Sequence, residues 1–187
     1  MNREGKTIIH IDLNNIELLQ LPSSRLYNAL TEVGLLRDTY HYYKQYKSGI
    51  FSALIKTPDD IILGYVSYTD RFQHLSSALI ALEKLEKEDV TKLLISKKIV
   101  RLIDYQFLKF AEKFEEDLVR TLTDFNFLKK YFGEVDYVVF LVHWKTYCGD
   151  EDFFDRRINL LLNLGFRGTE VKSTQVFWKR RGESSES

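Results

Sequence analysis

Three side chains able to move a proton or attack a carbonyl fall within six residues: His143, Tyr147 and Cys148. They sit at the end of a continuous apolar run, Tyr137 to Trp144 (YVVFLVHW), which reads as a central buried strand. Open α/β sheets place their sites beyond the ends of such strands. There His143 would serve as a general base and Tyr147 as a general acid. The plain alternative is side chains packing at a strand end, one of them under the next helix. No motif supplies a base for Cys148, so nothing marks it as a nucleophile. The four histidines, His10, His41, His74 and His143, include no pair at i, i+4 spacing, and no metal is expected. A single cysteine excludes an internal disulfide and a cysteine metal cage.

Two further stretches carry charge in a usable pattern. Glu88 to Asp104 (EDVTKLLISKKIVRLID) resembles a helix-turn-helix of the excisionase type, in which Lys97, Lys98 and Arg101 would contact phosphates. It lacks the turn glycine and is one residue short in the turn. Thr39 to Lys47 (TYHYYKQYK) interleaves aromatics with Lys44 and Lys47, a pattern that can stack on single-stranded nucleic acid but that a helix packing its Tyr43 face also explains. The whole chain offers no general field for either partner. Its 27 Lys and Arg balance 27 Asp and Glu, so binding to nucleic acid or membrane would need a local patch.

These residues must be held by a scaffold of 187 residues, enough for one packed domain. With 44% apolar and 29% charged residues the composition is globular. No run of about 18 apolar residues is present to span a bilayer, and no signal-peptide core follows the first residues. A cytoplasmic protein is expected, one domain over residues 1–181 with a disordered polar tail at 182–187. Thr7 to Leu13 alternates as a first strand. Pro22-Ser23-Ser24 starts a helix whose apolar period runs Leu26, Leu30, Val33, Leu36, Tyr40, Tyr43. IFSALIK and IILGYVSYT flank Thr57-Pro58-Asp59-Asp60 and predict a hairpin. From Leu75 to Phe132 the pattern reads as helical, with a long stripe Val100, Ile103, Phe107, Phe110, Phe114, Leu118, Leu122. Its width, with Leu102, Leu108, Ala111 and Val119 added, would suit a homodimer surface. Thr123-Asp124 caps a short helix ending at Gly133. Asp150-Glu151-Asp152 opens another, which carries Phe153, Phe154, Ile158, Leu161 and Leu162 and stops at Gly165. Phe166–Val171 and Thr174–Lys179 close the chain as a second hairpin. The expected fold class is α/β, a mixed sheet with helices on both faces and extra helices in the middle.

This order resembles the GNAT family of acetyl-CoA-dependent N-acyltransferases. FSALIKTPDDIILGYVSYT looks like the hairpin of the family's second and third strands, with Gly64 in an I-x-G-x-hydrophobic phrase. YVVFLVHW looks like its fifth strand, one arm of the splayed pair that holds pantetheine, and INLLLNLGF like the end of its fourth helix. The resemblance implies a GNAT-like mixed sheet, an acyl-CoA such as acetyl-CoA as cofactor, and an amine acceptor. The family's diphosphate loop, Q/R-x-x-G-x-G/A after the fourth strand, has no counterpart, for no glycine occurs from Asp70 to Phe132. Lys97, Lys98 and Arg101, in Ile95–Asp104, are the best positional candidates for the cofactor phosphates. Leu161 stands where the family often has a tyrosine. The expected function is an acyl-CoA-dependent N-acyltransferase or a relative that has lost the cofactor. The alternative is a non-catalytic protein that binds a protein or nucleic acid through its helical middle.

Overall fold

The computed structural model describes residues 11–21, 23–32, 50–71, 75–86, 89, 92, 95–143, 150–171 and 174–183. Seven strands form one sheet: β1 (Glu17–Gln20), β2 (Ile50–Lys56), β3 (Ile62–Thr69), β4 (Ile99–Phe107), β5 (Tyr137–His143), β6 (Arg167–Val171) and β7 (Thr174–Arg180). Their order across the sheet is β1-β2-β3-β4-β5-β7-β6, and only β4 and β5 run parallel. The helices are α1 (Ser23–Glu32), α2 (Ser76–Glu86), α3 (Glu115–Leu122), α4 (Phe125–Phe132) and α5 (Glu151–Asn163). The architecture is α/β with a mixed sheet between helices, as expected.

The β2–β3 hairpin forms where the Pro-Asp-Asp turn placed it. Asp60 takes a positive φ of 62°, a conformation aspartate tolerates, and Thr57 Oγ1 accepts from the Ile61 N–H at 3.1 Å. Asp124 and Asp150 cap α4 and α5, accepting from the N–H groups of Phe127 (2.9 Å) and Phe153 (3.0 Å). Both hairpins, the fifth strand and these two helices match the expectation.

Two expectations are corrected, the unbroken helical middle and the helix-turn-helix, and two others fall mostly or wholly outside the described residues. The first strand falls mostly outside the described residues, and Leu13 opens a 3-10 turn, Leu13–Asn15, that Asp12 stabilises by accepting from Asn14 and Asn15. The helical middle is interrupted by β4, which contains Val100, Ile103 and Phe107 of the supposed stripe. Because Val100 to Asp104 is strand, Glu88–Asp104 is no helix-turn-helix, and Arg101 lies on no recognition helix. On α5, Leu162 is exposed while Leu161 is fully buried. The stretch Thr39–Lys47 lies outside the described residues.

The core explains the layers. One face of the sheet carries a single continuous cluster, joining Val100, Leu102, Tyr105 and Phe107 of β4, Val138, Phe140 and Val142 of β5, and Leu118, Leu122, Leu128 and Leu161 of the helices. The other face carries two clusters, one with Leu26 and Leu30 of α1 and one with Leu75, Leu79 and Leu82 at α2. Leu102, Ala111 and Val119, which widened the stripe and suggested a dimer surface, are buried inside the chain.

Candidate active site

β4 and β5 pair over four residues only, Ile99–Leu102 against Tyr137–Phe140. Beyond that point Asp104–Phe107 stay with β3, and Leu141–His143 stay with β7. The two parallel strands therefore diverge towards their C-terminal ends. The cause is local. The β3–β4 register shifts at Ser67/Tyr68, leaving Ile103 as the extra residue of a bulge, and a bulge bends and twists its strand.

Asp104 stands at the apex of this split, in register with Ser67 of β3. Asp104 is half-buried, and partial burial pushes its carboxyl above the ordinary aspartate value, against the opposing pull of Arg157 and of the Tyr105 N–H. That N–H donates to Asp104 Oδ1 at 2.8 Å. Ser67 Oγ lies 2.9 Å from Ser52 Oγ and donates to Tyr65 Oη at 2.8 Å, so the strand beside Asp104 carries a buried polar string.

Arg157 reaches the split from α5 and is only 6% exposed. Its guanidinium lies 4.1 Å from the Tyr105 ring centroid, 5.8 Å from that of Phe140 and 5.2 Å from that of Phe153. The cation thus spans both diverging strands. Glu115, first residue of α3, completes the group: Tyr105 Oη donates to Glu115 Oε1 at 2.7 Å, and Arg157 Nε lies 3.8 Å from the same oxygen. Asp104 and Arg157 lie 53 positions apart in the chain, and sequence reasoning missed both. The signal it could have used is a charged residue inside an apolar pattern: Arg157 lies four residues from both Phe153 and Leu161 on the core-facing side of α5.

The sequence-predicted residues fall elsewhere. His143 is the last residue of β5, opposite Thr174 of β7; its side chain, like Tyr147 and Cys148, lies outside what the structure describes. Lys97 and Lys98 precede β4 at its paired end, roughly 30 Å along the strand from Phe107. Lys98 Nζ is 3.4 Å from Asp70 Oδ2, and both lysines line a 510 Å³ surface cavity with Asp70, Glu134 and Asp136. Arg101 is half-buried within β4. The premise that Ile95–Asp104 lies between the fourth strand and the next helix is therefore corrected: Ile99–Phe107 is that strand, and Leu108–Phe114 follows it. Among the described residues no group of three His, Cys, Asp or Glu is arranged to hold a metal, and no helix is long and apolar enough to cross a membrane.

A groove of about 320 Å³ leads away from the split between the Leu108–Phe114 segment and α5. Its lining tests whether a CoA diphosphate fits. Glu112, Glu115 and Glu116 face Lys113, Arg156 and Arg157, so the charges cancel. Within Lys109–Phe114, a 3-10 turn, the Ala111 N–H donates to Leu108 O, and the Glu115 N–H donates to Glu112 O. Glu115, Glu116 and Asp117 crowd the first turn of α3, where an anion would look for the positive end of the helix. A carboxylate about 5 Å from a phosphate repels it by roughly 1 kcal/mol in water, and by more near protein. These residues do not fit a diphosphate.

No family model matches the chain, and no curated protein sequence does. Solved structures do. Arabidopsis thaliana NAA60 in complex with acetyl-CoA superposes with a TM-score of 0.55 at 12% identity, covering 90% of this chain and all of that one. A GNAT-family acetyltransferase from Listeria monocytogenes gives 0.51 at 10% identity, covering 88% and 94%. A chimera of spermidine N-acetyltransferase SpeG from Vibrio cholerae and hSSAT gives 0.51 at 8%, covering 89% and 96%. The chain has the GNAT fold.

Proposed function

We propose that this protein transfers an acyl group from a thioester to an amine, with the chemistry at the split between β4 and β5. Three features support the reading: the fold it shares with N-acetyltransferases, the divergence of the two strands, and the half-buried Asp104 at the apex, within electrostatic reach of the buried Arg157. The last carries it. Acyl transfer needs a base for the amine proton and a positive group where the carbonyl oxygen becomes an anion. Asp104 answers the first need, because a carboxylate whose proton affinity is raised by burial is a stronger base than one in water. Arg157 answers the second, because its guanidinium keeps its charge when buried. The amine nitrogen attacks the thioester carbonyl carbon, Asp104 takes the nitrogen's proton, the C–S bond breaks, and the thiolate leaves to be protonated. The products are an amide and a thiol. His143, at the end of β5, and Tyr147 are the other proton carriers to test. Acetyl-CoA, bound by one structural neighbour, and acetyl-pantetheine, which lacks the diphosphate, are the two donors to compare.

The test follows free thiol on mixing the protein with acetyl-CoA or acetyl-pantetheine and a panel of polyamines, amino acids and peptide amines. Amine-dependent release is expected, falling by about 100-fold or more in Asp104→Asn while the variant keeps its unfolding transition. No amine-dependent release from either thioester, or full activity in Asp104→Asn, overturns the assignment. Unchanged turnover in both His143→Ala and Tyr147→Phe removes those two from the site.

A further inference from the structure

Resting on the acyl-transfer reading, we infer that the acyl donor carries no nucleotide diphosphate: the groove beside the split takes a neutral, amide-bearing thioester arm. The lining that fails the diphosphate suits such an arm. Asn159 and Asn163 of α5 present side-chain amides, able both to donate and to accept, beside the apolar Leu160 and Phe153. A volume of about 320 Å³ is at the small end of ligand pockets, about 300–1,000 Å³, and is enough for such an arm.

The cations nearby are already engaged. Arg120 pairs with Glu116 at 3.1 Å and with Asp117 at 2.8 Å. Lys113 lies over the Phe114 ring at 5.0 Å, and Arg156 lies over the Phe153 ring at 5.6 Å while donating to Asp152 O. Arg157 is turned inward to Tyr105 and Glu115. A dianion entering here would meet Glu112 and Glu116 with no surplus of positive charge. A neutral arm meets no such opposition and leaves Arg157 at the split, where the acyl carbonyl would lie.

The experiment compares kcat/KM for acetyl-pantetheine and acetyl-CoA with one amine acceptor, in the wild type and in Glu112→Gln/Glu116→Gln. Acetyl-pantetheine is expected to equal or exceed acetyl-CoA. The double variant is expected to move the preference towards acetyl-CoA by about tenfold, since two repelling carboxylates are neutralised. Acetyl-CoA as the better wild-type donor overturns the inference and leaves the acyl-transfer reading standing. A preference that the variant does not move overturns the charge argument behind the inference. Transfer from neither thioester overturns both the inference and the reading it rests on.

Discussion

At the scale of single residues, Asp104 is the position where stability and chemistry meet. Burial raises its proton affinity in the folded state above that of the unfolded chain. Below the ordinary aspartate value of about 3.8 both states hold the proton, and the residue adds no pH dependence. As pH rises through the window between that value and the raised folded value, the unfolded state releases the proton first. Stability therefore falls across the window and is level above it. Asn at 104 cannot titrate. Urea unfolding of wild type and Asp104→Asn across acid to neutral pH should show the wild type losing stability relative to the variant as pH rises. The opposite slope would mean that Arg157, 6% exposed and packed on Tyr105, outweighs burial and holds Asp104 as a carboxylate. The base assignment would then fail, because a carboxylate so stabilised is a weak base.

At the scale of elements, the shape of the split depends on β4 lying tight against β3. Gly64 makes that contact: a Cβ there would come within 2.2 Å of Gln106 O and 2.9 Å of Phe107 Cα, both backbone atoms. Gly64→Ala should cost about 3 kcal/mol or more, the upper end for overpacking, because only movement of a whole strand relieves it. Gly168→Ala, whose Cβ would meet the Phe177 side chain, should cost clearly less, since a ring tilts more easily than a ladder shifts. Equal losses in urea unfolding would show that β4 is free to shift. The bulge on the same strand also explains what was legible beforehand. The β2–β3 hairpin and β5 announce themselves by a turn and by an unbroken apolar run. β4 does not. Val100 and Leu102 precede the bulge and Tyr105 and Phe107 follow it, all on one core face. The extra residue breaks the period of two, and the resulting three-residue step imitates a helix. The site was hidden with it, for Asp104 lies in the stretch that reads as helical and Arg157 comes within electrostatic reach of it only once α5 packs on the sheet.

At the scale of the whole molecule, the sheet consists of two antiparallel halves, β1–β4 and β5-β7-β6, joined by one four-residue parallel ladder. The helices reinforce the join unequally. The cluster on one face runs continuously across both strands, whereas the opposite face is divided between α1 and α2. At the closed end of the split Asp136 clasps the halves together. Its carboxylate accepts from the Lys98 N–H at 2.8 Å and from Arg181 Nη2 at 2.9 Å, and its carbonyl accepts from the Arg181 N–H at 2.9 Å. One side chain thus ties the start of β4 to the end of β7. Removing it leaves the Lys98 N–H without its acceptor, while the half-exposed Arg181 keeps Glu134, and Asp136→Ala should lower stability by about 1–2 kcal/mol. For a chain of this size that corresponds to about 2–8 °C in Tm. The unfolding slope in urea should stay unchanged, since the continuous core still couples the halves into one transition. A loss under about 0.5 kcal/mol would mean that water replaces the clasp. A second transition, with β5 and β7 losing hydrogen-exchange protection before β2 and β3, would mean that the shared core is too weak to hold the split at a fixed width.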